Sequence, residues 1–419
     1  GLQWIFNAYV IAFGGLLLLG GKLSDIYGAR RIFMAGFFIL TGSSLLAGLA
    51  SSAGMLNLGR GLQGAASALI APAALTLVMS MFTDPKELGK ALGFWGASAA
   101  AGGSAGVFLG GVITEWLSWR WVFLINIPIG LVVLSLCRAY LLKGRTATGR
   151  VDLRGATLIT GALVLLVYAV VSAEQQGWTS AATISQLLVS VLLLATFAIS
   201  QKISKEPLLP FSIFRAPNLA TGNIVMALMA AAWIPLWFFL NLYLQQVLHY
   251  SAFRSGLALL PMTLAIMLIM VGFTGKLVQR FGFKKNLVLG LAFLTASLLL
   301  FSTATADGSF MGTVLLPSIL GAIGMSLAYI PGTIASMSGA KPEETGLASG
   351  IVNTSYQVGS ALGLAVIVVL VSISTKNSIA VNADQVQALT NGFSTGFLSA
   401  AFVSAAATIL AMVSIRQKV

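Results

Sequence analysis

Thirteen apolar stretches, most of them near twenty residues long, follow one another along this chain with short polar turns between them. They run roughly 3–21, 32–50, 55–81, 89–114, 121–142, 154–174, 181–201, 217–248, 253–275, 286–305, 309–338, 344–374 and 393–415. As a helix, such a stretch matches the hydrocarbon core of a bilayer, about 30 Å thick. In lipid a helix satisfies its backbone hydrogen bonds within one segment, which irregular chain cannot do. A chain that is 58% hydrophobic and 8% charged is therefore expected to be an all-α, multi-pass membrane protein.

Placement of the positive charge supports this and sets the orientation. If the turn after the first apolar stretch is cytoplasmic, so is every second turn thereafter. Twenty of the 24 Lys and Arg residues then fall on the cytoplasmic side, and Arg60, Arg120, Arg254 and Lys376 are the other four. That bias is the positive-inside pattern. It accounts for the net charge of +13 without a nucleic-acid partner.

The chain also repeats itself. GKLSDIYGARR (Gly21–Arg31) returns as GKLVQRFGFKK (Gly275–Lys285), with Gly21, Leu23 and Gly28 matched 254 residues later by Gly275, Leu277 and Gly282. Each copy reads as a tight basic turn whose glycines permit sharp reversal and close backbone approach. TDPKELGKALG (Thr83–Gly93) likewise returns as AKPEETGLASG (Ala340–Gly350), at an offset of 257. Internal duplication of helical bundles is the plan of secondary transporters. The second half has six stretches and the first half five, with two unpaired ones between. The expected division is a bundle over 1–150, two linker helices over 151–205 and a second bundle over 206–419. By this symmetry a fourteen-helix plan is expected, of which thirteen are visible here and the first is not.

Little else in the sequence carries chemistry. Cys137 is the single cysteine and His249 the single histidine, so no metal cluster or catalytic nucleophile–base pair is expected, and the chain is not expected to be an enzyme. None of the eleven acids falls in the middle of an apolar stretch. Glu115 is the fallback for an embedded carboxylate, although pairing with Arg120 at the outer interface suits it as well.

GKLSDIYGARR resembles the signature loop of the major facilitator superfamily. SWRWVFLINIPIG (Ser118–Gly130), EPLLPFSIFR (Glu206–Arg215) and YLQQVLHYSAFRSGLALLP (Tyr243–Pro261) are similar to the fourteen-helix drug:proton antiporter family within it. The resemblance implies a major facilitator fold: two pseudo-symmetric helical bundles plus two inserted helices, in the inner (plasma) membrane. It implies exchange of small hydrophobic or cationic compounds for protons, driven by the proton gradient with no bound cofactor or metal. The lipid bilayer is the other expected partner, and a monomer the expected state. A dedicated exporter of one metabolite, or a membrane protein that transports nothing, remains open.

The resemblance also assigns residues. Gly21, Asp25, Gly28, Arg30 and Arg31 form the cytoplasmic gate loop, in which Asp25 is expected to latch that side shut by pairing with cations and with a helix start. Ile26 and Ala29 stand where the pattern often has arginine, and the second copy has Gln279 in place of the acid. Arg60 lies inside the third stretch, and its counterpart at the 257 offset is Pro317. The resemblance implies proton coupling for Arg60, with Gln63 on the same helix face; snorkelling to the headgroups is the alternative. Gly102, Gly106, Gly110 and Gly111 match the antiporter stripe of small residues, expected to allow close helix packing. Val107 stands where that pattern has proline.

Trp233, Trp237, Asn241 and Gln245 recur at helical spacing beside Pro235, and Asn353 and Gln357 do the same further on. An uncharged aromatic and amide face suits flat hydrophobic or cationic compounds. An aromatic belt at the membrane interface would use the same tryptophans.

Overall fold

The computed structural model describes residues 3–82, 84–141, 152–177, 180–204, 206–380 and 384–417. Among these residues the regular structure is entirely helical, arranged as thirteen rods. The first half contains α1 (Gln3–Tyr27), α2 (Ala29–Gly48), α3 (Ala53–Met81) and α4 (Pro85–Trp116). Its last rod is made of α5 (Trp119–Leu124) and α6 (Asn126–Tyr140). The inserted pair is α7 (Leu153–Gln176) and α8 (Ala181–Ile203). The second half contains α9 (Leu219–Leu242), α10 (Ala252–Ile269), α11 (Gly275–Phe301), α12 (Leu316–Met337), α13 (Thr345–Ala380) and α14 (Gln385–Ser414). Eleven helical stretches among the described residues are long and apolar enough to cross a membrane.

The two signature repeats are far tighter than turns of eleven residues. α1 stays helical to Tyr27, α2 begins at Ala29, and Gly28 alone breaks the path, at φ 88° and ψ 132°. In the second copy Gly282 does the same inside α11, at φ 78° and ψ 165°. These left-handed values cost a residue with a Cβ about 1–2 kcal/mol. The matched glycines are therefore the hinge points themselves, and the basic residues around them are helical.

Two other boundaries differ from the apolar pattern for local reasons. The rod of α5 and α6 breaks at Ile125 because Pro128 has no N–H to offer the carbonyl of Leu124. Asn126 Nδ2 donates to the Phe123 carbonyl at 3.2 Å and the Val122 carbonyl at 3.4 Å beside that gap. α14 begins at Gln385, some eight residues before its apolar run, because the Asp384 side chain accepts from the Gln387 N–H at 2.7 Å and caps a polar first turn.

The helices assemble into two compact units, each drawn from separated segments. Unit 1 comprises Gly1–Met81, Val112–Leu219 and Gly339–Thr354; unit 2 comprises Phe82–Gly111, Ala220–Ser338 and Ser355–Val419. Each unit thus holds pieces of both sequence copies. In unit 1 the first signature repeat meets the second loop–helix copy: a Cβ on Gly21 would touch the Gly346 carbonyl and lie 3.0 Å from Gly350 Cα. In unit 2 the pairing is reciprocal, and a Cβ on Gly275 would lie 3.0 Å from the Gly89 carbonyl carbon.

The inserted helices belong to unit 1. α7 packs on α1, with Val167 against Gly14 at 3.6 Å from a Cβ position. Ser190 of α8 donates to the Ala162 carbonyl of α7 at 2.9 Å. Gln201 then donates to Asp152 and accepts from the Leu209 N–H, both at 2.9 Å, tying the linker at both ends. The expected domain boundary near residue 150 lies outside the described residues.

Candidate functional site

Three constellations stand out, two in unit 1 and one in unit 2. The first is centred on Arg60, one turn into the apolar part of α3. Its Nε donates to the Ile5 carbonyl of α1 at 2.8 Å, and its Nη1 donates to Gln63 Oε1 at 2.9 Å. Gln63, 2% exposed, passes the network on by donating to Ser44 Oγ of α2 at 2.8 Å. The guanidinium lies 4.5 Å from the centroid of the Tyr9 ring, whose hydroxyl donates to Ser67. The predicted pair of Arg60 and Gln63 is therefore formed. The cation is held by a backbone carbonyl and an aromatic face of α1 and by an amide of its own helix. At the equivalent position Pro317 accepts a hydrogen bond from Ser297 at 2.7 Å, so the second copy uses the place for packing.

The second constellation is Asp25. Its two carboxylate oxygens accept from the backbone N–H groups of Gly346 at 2.6 Å and Leu347 at 2.8 Å. These amides open α13, where the first N–H groups have no partner in their own helix. A carboxylate there acts as an N-cap supplied by another helix, reinforced by the positive end of the helix dipole. The approach depends on Gly21 and Gly346, whose missing side chains let α1 and the start of α13 touch. Arg30 turns elsewhere and donates to the Arg138 carbonyl at 3.1 Å, and Arg31 is exposed. The expected helix start is met by Asp25 through two hydrogen bonds, and Lys22 acts on the carboxylate through its charge. Gln279 sits beside Gly89 at the matching place in unit 2, with its Nε2 3.6 Å from a Cβ position there.

The small-residue stripe corrects an expectation. α4 runs unbroken past Val107, yet nothing described lies within 4 Å of a Cβ built on Gly102 or Gly106. Close packing by α4 glycines occurs earlier, at Gly89, Gly93 and Gly96, where neighbouring helices meet the backbone. Gly110 and Gly111 lie a turn further along the same helix. Arg120 donates to the Ala50 carbonyl at 3.3 Å and covers Trp119, while the Glu115 side chain lies outside the described residues.

In unit 2, Trp233 is buried at 6% exposure and meets the half-buried Trp237 edge-on, with centroids 6.3 Å apart. Gln245 donates to Asn241 at 3.0 Å, on the π-helical turn that follows α9. Asn353 donates back to the Ser349 carbonyl at 2.8 Å, and the Gln357 amide bonds no described residue. Sequence reading missed a larger aromatic group. Trp95 of α4 stacks on Tyr329 of α12 at 5.6 Å and 14°, and Tyr329 meets Tyr356 of α13 edge-on at 5.7 Å. Their only sequence signal is Trp95, a tryptophan set in the Gly- and Ala-rich stretch of α4.

Two copies of one helical plan, with side chains shared across the copies, are how secondary transporters are built, and they set the class: a multi-pass membrane transporter, not an enzyme. The chain belongs to the major facilitator superfamily; the family model described as Major Facilitator Superfamily matches residues 1–364. It is 38% identical to the cephamycin export protein CmcT of Amycolatopsis lactamdurans, over 90% of this chain and 78% of that protein. It is 37% identical to the puromycin resistance protein pur8 of Streptomyces alboniger, over 91% of this chain and 76% of the relative. The tetracenomycin C resistance and export protein of Streptomyces glaucescens is 35% identical, over 88% and 69%. The human organic anion transporter MFSD10 superposes with a TM-score of 0.66 at 16% identity, covering 96% of this chain and 83% of that one. The proton:xylose symporter XylE gives 0.67 at 13%, covering 97% and 84%. At such identities the structural likeness carries the fold alone.

Proposed function

We propose that this protein is a proton-driven exporter of hydrophobic or cationic compounds in the inner (plasma) membrane, of the drug:proton antiporter branch of its superfamily. Relatives named for export of, or resistance to, antibiotics cover about nine-tenths of the chain, which supports export as the direction. The observation that carries proton coupling is Arg60, a membrane-embedded cation held by the Ile5 carbonyl and Gln63 and absent from the second copy. A charge kept in an apolar helix at such cost serves a function by default.

In this reading Asp25 holds the cytoplasmic ends of α1 and α13 together in one state, and release of its two amides accompanies the other state. The proton gradient supplies the energy, and no resident cofactor takes part.

A dedicated exporter of one compound is the second reading, favoured by relatives each named for a single antibiotic. Efflux from cells preloaded with tetraphenylphosphonium tests both. The multidrug reading expects faster efflux than in cells lacking the protein, abolished by a protonophore. Efflux indifferent to the protonophore would remove proton coupling. No efflux of this or other lipophilic cations, with the protein in the membrane, would favour the dedicated exporter.

A further inference from the structure

We infer that Trp95, Tyr329 and Tyr356 form a ring-binding subsite that takes a planar, conjugated part of the transported compound. The inference rests on the exporter reading and specifies the substrate class.

The three side chains come from three helices of unit 2, α4, α12 and α13. Trp95 lies ten residues into α4, Tyr356 eleven into α13, and Tyr329 eight before the end of α12. At 1.5 Å per residue that puts all three about 12–17 Å from those helix ends, near the middle of a ~30 Å hydrocarbon layer. Aromatic rings anchored at an interface would sit at the helix ends instead.

The geometry also departs from that of a sealed core. The Phe301–Phe397 pair, stacked at 5.2 Å, shows what packing alone looks like in this unit: both rings are fully buried. Trp95, Tyr329 and Tyr356 are each only partly buried. Buried tyrosines normally find a partner for the hydroxyl. Here neither the Tyr329 nor the Tyr356 hydroxyl bonds a described residue, and neither is sealed from contact. The Tyr243 hydroxyl of the same unit, by contrast, donates to the Thr305 carbonyl at 2.7 Å. Next to Tyr356 in sequence, the Gln357 amide is likewise unbonded among the described residues.

A stacked Trp95–Tyr329 pair, an edge-on third ring and unused phenol donors suit a flat π-system that extends the stack and carries acceptor atoms. Stacking and cation–π contact select for planarity and tolerate a positive charge. A bulky, non-planar cation gains little from them.

The test is equilibrium binding of ethidium, a planar cation, and tetraphenylphosphonium, a non-planar cation of equal charge, to the purified chain. Trp95→Ala is expected to weaken ethidium about three- to tenfold, the size of one lost aromatic face, and to leave tetraphenylphosphonium unchanged. Tyr329→Phe with Tyr356→Phe keeps both rings, so the fold persists, and is expected to weaken ethidium about threefold or more through the lost hydroxyl bonds. Ethidium bound by the wild type and weakened selectively in these variants supports the subsite. No ethidium binding by the wild type, or equal affinity in all variants, overturns it. Because binding is read without a gradient, failure of transport in cells would strike the exporter reading and leave this result standing.

Discussion

Arg60 illustrates how much one side chain settles. Its partners are a backbone carbonyl and a ring face from α1 and an amide from α3 itself, all in the same unit. Lysine could keep the charge but not the two-pronged geometry, in which Nε and Nη1 serve separate acceptors. The glycines are equally specific at this scale, and they divide sharply. Gly21→Ala must push the backbone at Gly346 and Gly350 away, so a loss of about 1–3 kcal/mol is expected. Gly102→Ala meets nothing within 4 Å and should be neutral or slightly stabilising, since alanine suits a helix interior better by up to ~1 kcal/mol. Thermal unfolding of the two variants in one detergent checks this; equal melting temperatures would contradict it. Sequence reading placed Gly21 correctly as a close approach because its repeat at Gly275 does the same. At Gly102 and Gly106 no described atom lies within 4 Å of a Cβ position, and small-residue spacing alone does not say whether a neighbour is there.

At the scale of elements, the start of α13 is the most informative. Asp25 binds two of its free amides, a pairing of residues 321 and 322 positions apart. Asp25→Asn preserves shape but offers one acceptor oxygen and no charge. Each hydrogen bond to a charged group contributes about 1.5–3 kcal/mol, so the first turn of α13 should open about tenfold more often or beyond. Amide hydrogen exchange over residues 345–349 reads this directly; wild-type protection in the variant would show that Asp25 is not what holds the turn. Helix number and order were legible in the apolar runs because lipid leaves helices few alternatives. That Asp25 would meet a helix start was legible, but which one was not, because Gly346 and Leu347 lie 321 and 322 positions away. The ring cluster of Trp95, Tyr329 and Tyr356 was not legible, because its members meet only after α4, α12 and α13 have packed. The same applies to the early start of α14, where a capped polar turn hides from hydropathy.

On the scale of the molecule, duplication with exchange is the organising fact. Each compact unit seats a signature repeat from one copy against the loop–helix of the other, through Gly21 with Gly346 and Gly350, and through Gly275 with Gly89. The copies differ in their chemistry. Asp25 corresponds to Gln279, and Arg60 to Pro317, by position in the two sequence copies. At these two positions the charge belongs to the first copy, where coupling and latching are proposed, while the proposed ring subsite draws Trp95 from the first copy and Tyr329 and Tyr356 from the second.

Under the proposed coupling, a proton gradient alone drives transport through this chain. The direct measurement is tetraphenylphosphonium movement in proteoliposomes holding the purified protein, with an imposed pH gradient and the membrane potential clamped at zero. The account predicts accumulation against the cation's own gradient, lost when the pH gradient is collapsed and reduced at least about tenfold in Arg60→Lys, which lacks the two-pronged donor. Distribution of the cation that ignores the pH gradient, in liposomes where the protein is inserted and folded, would contradict it.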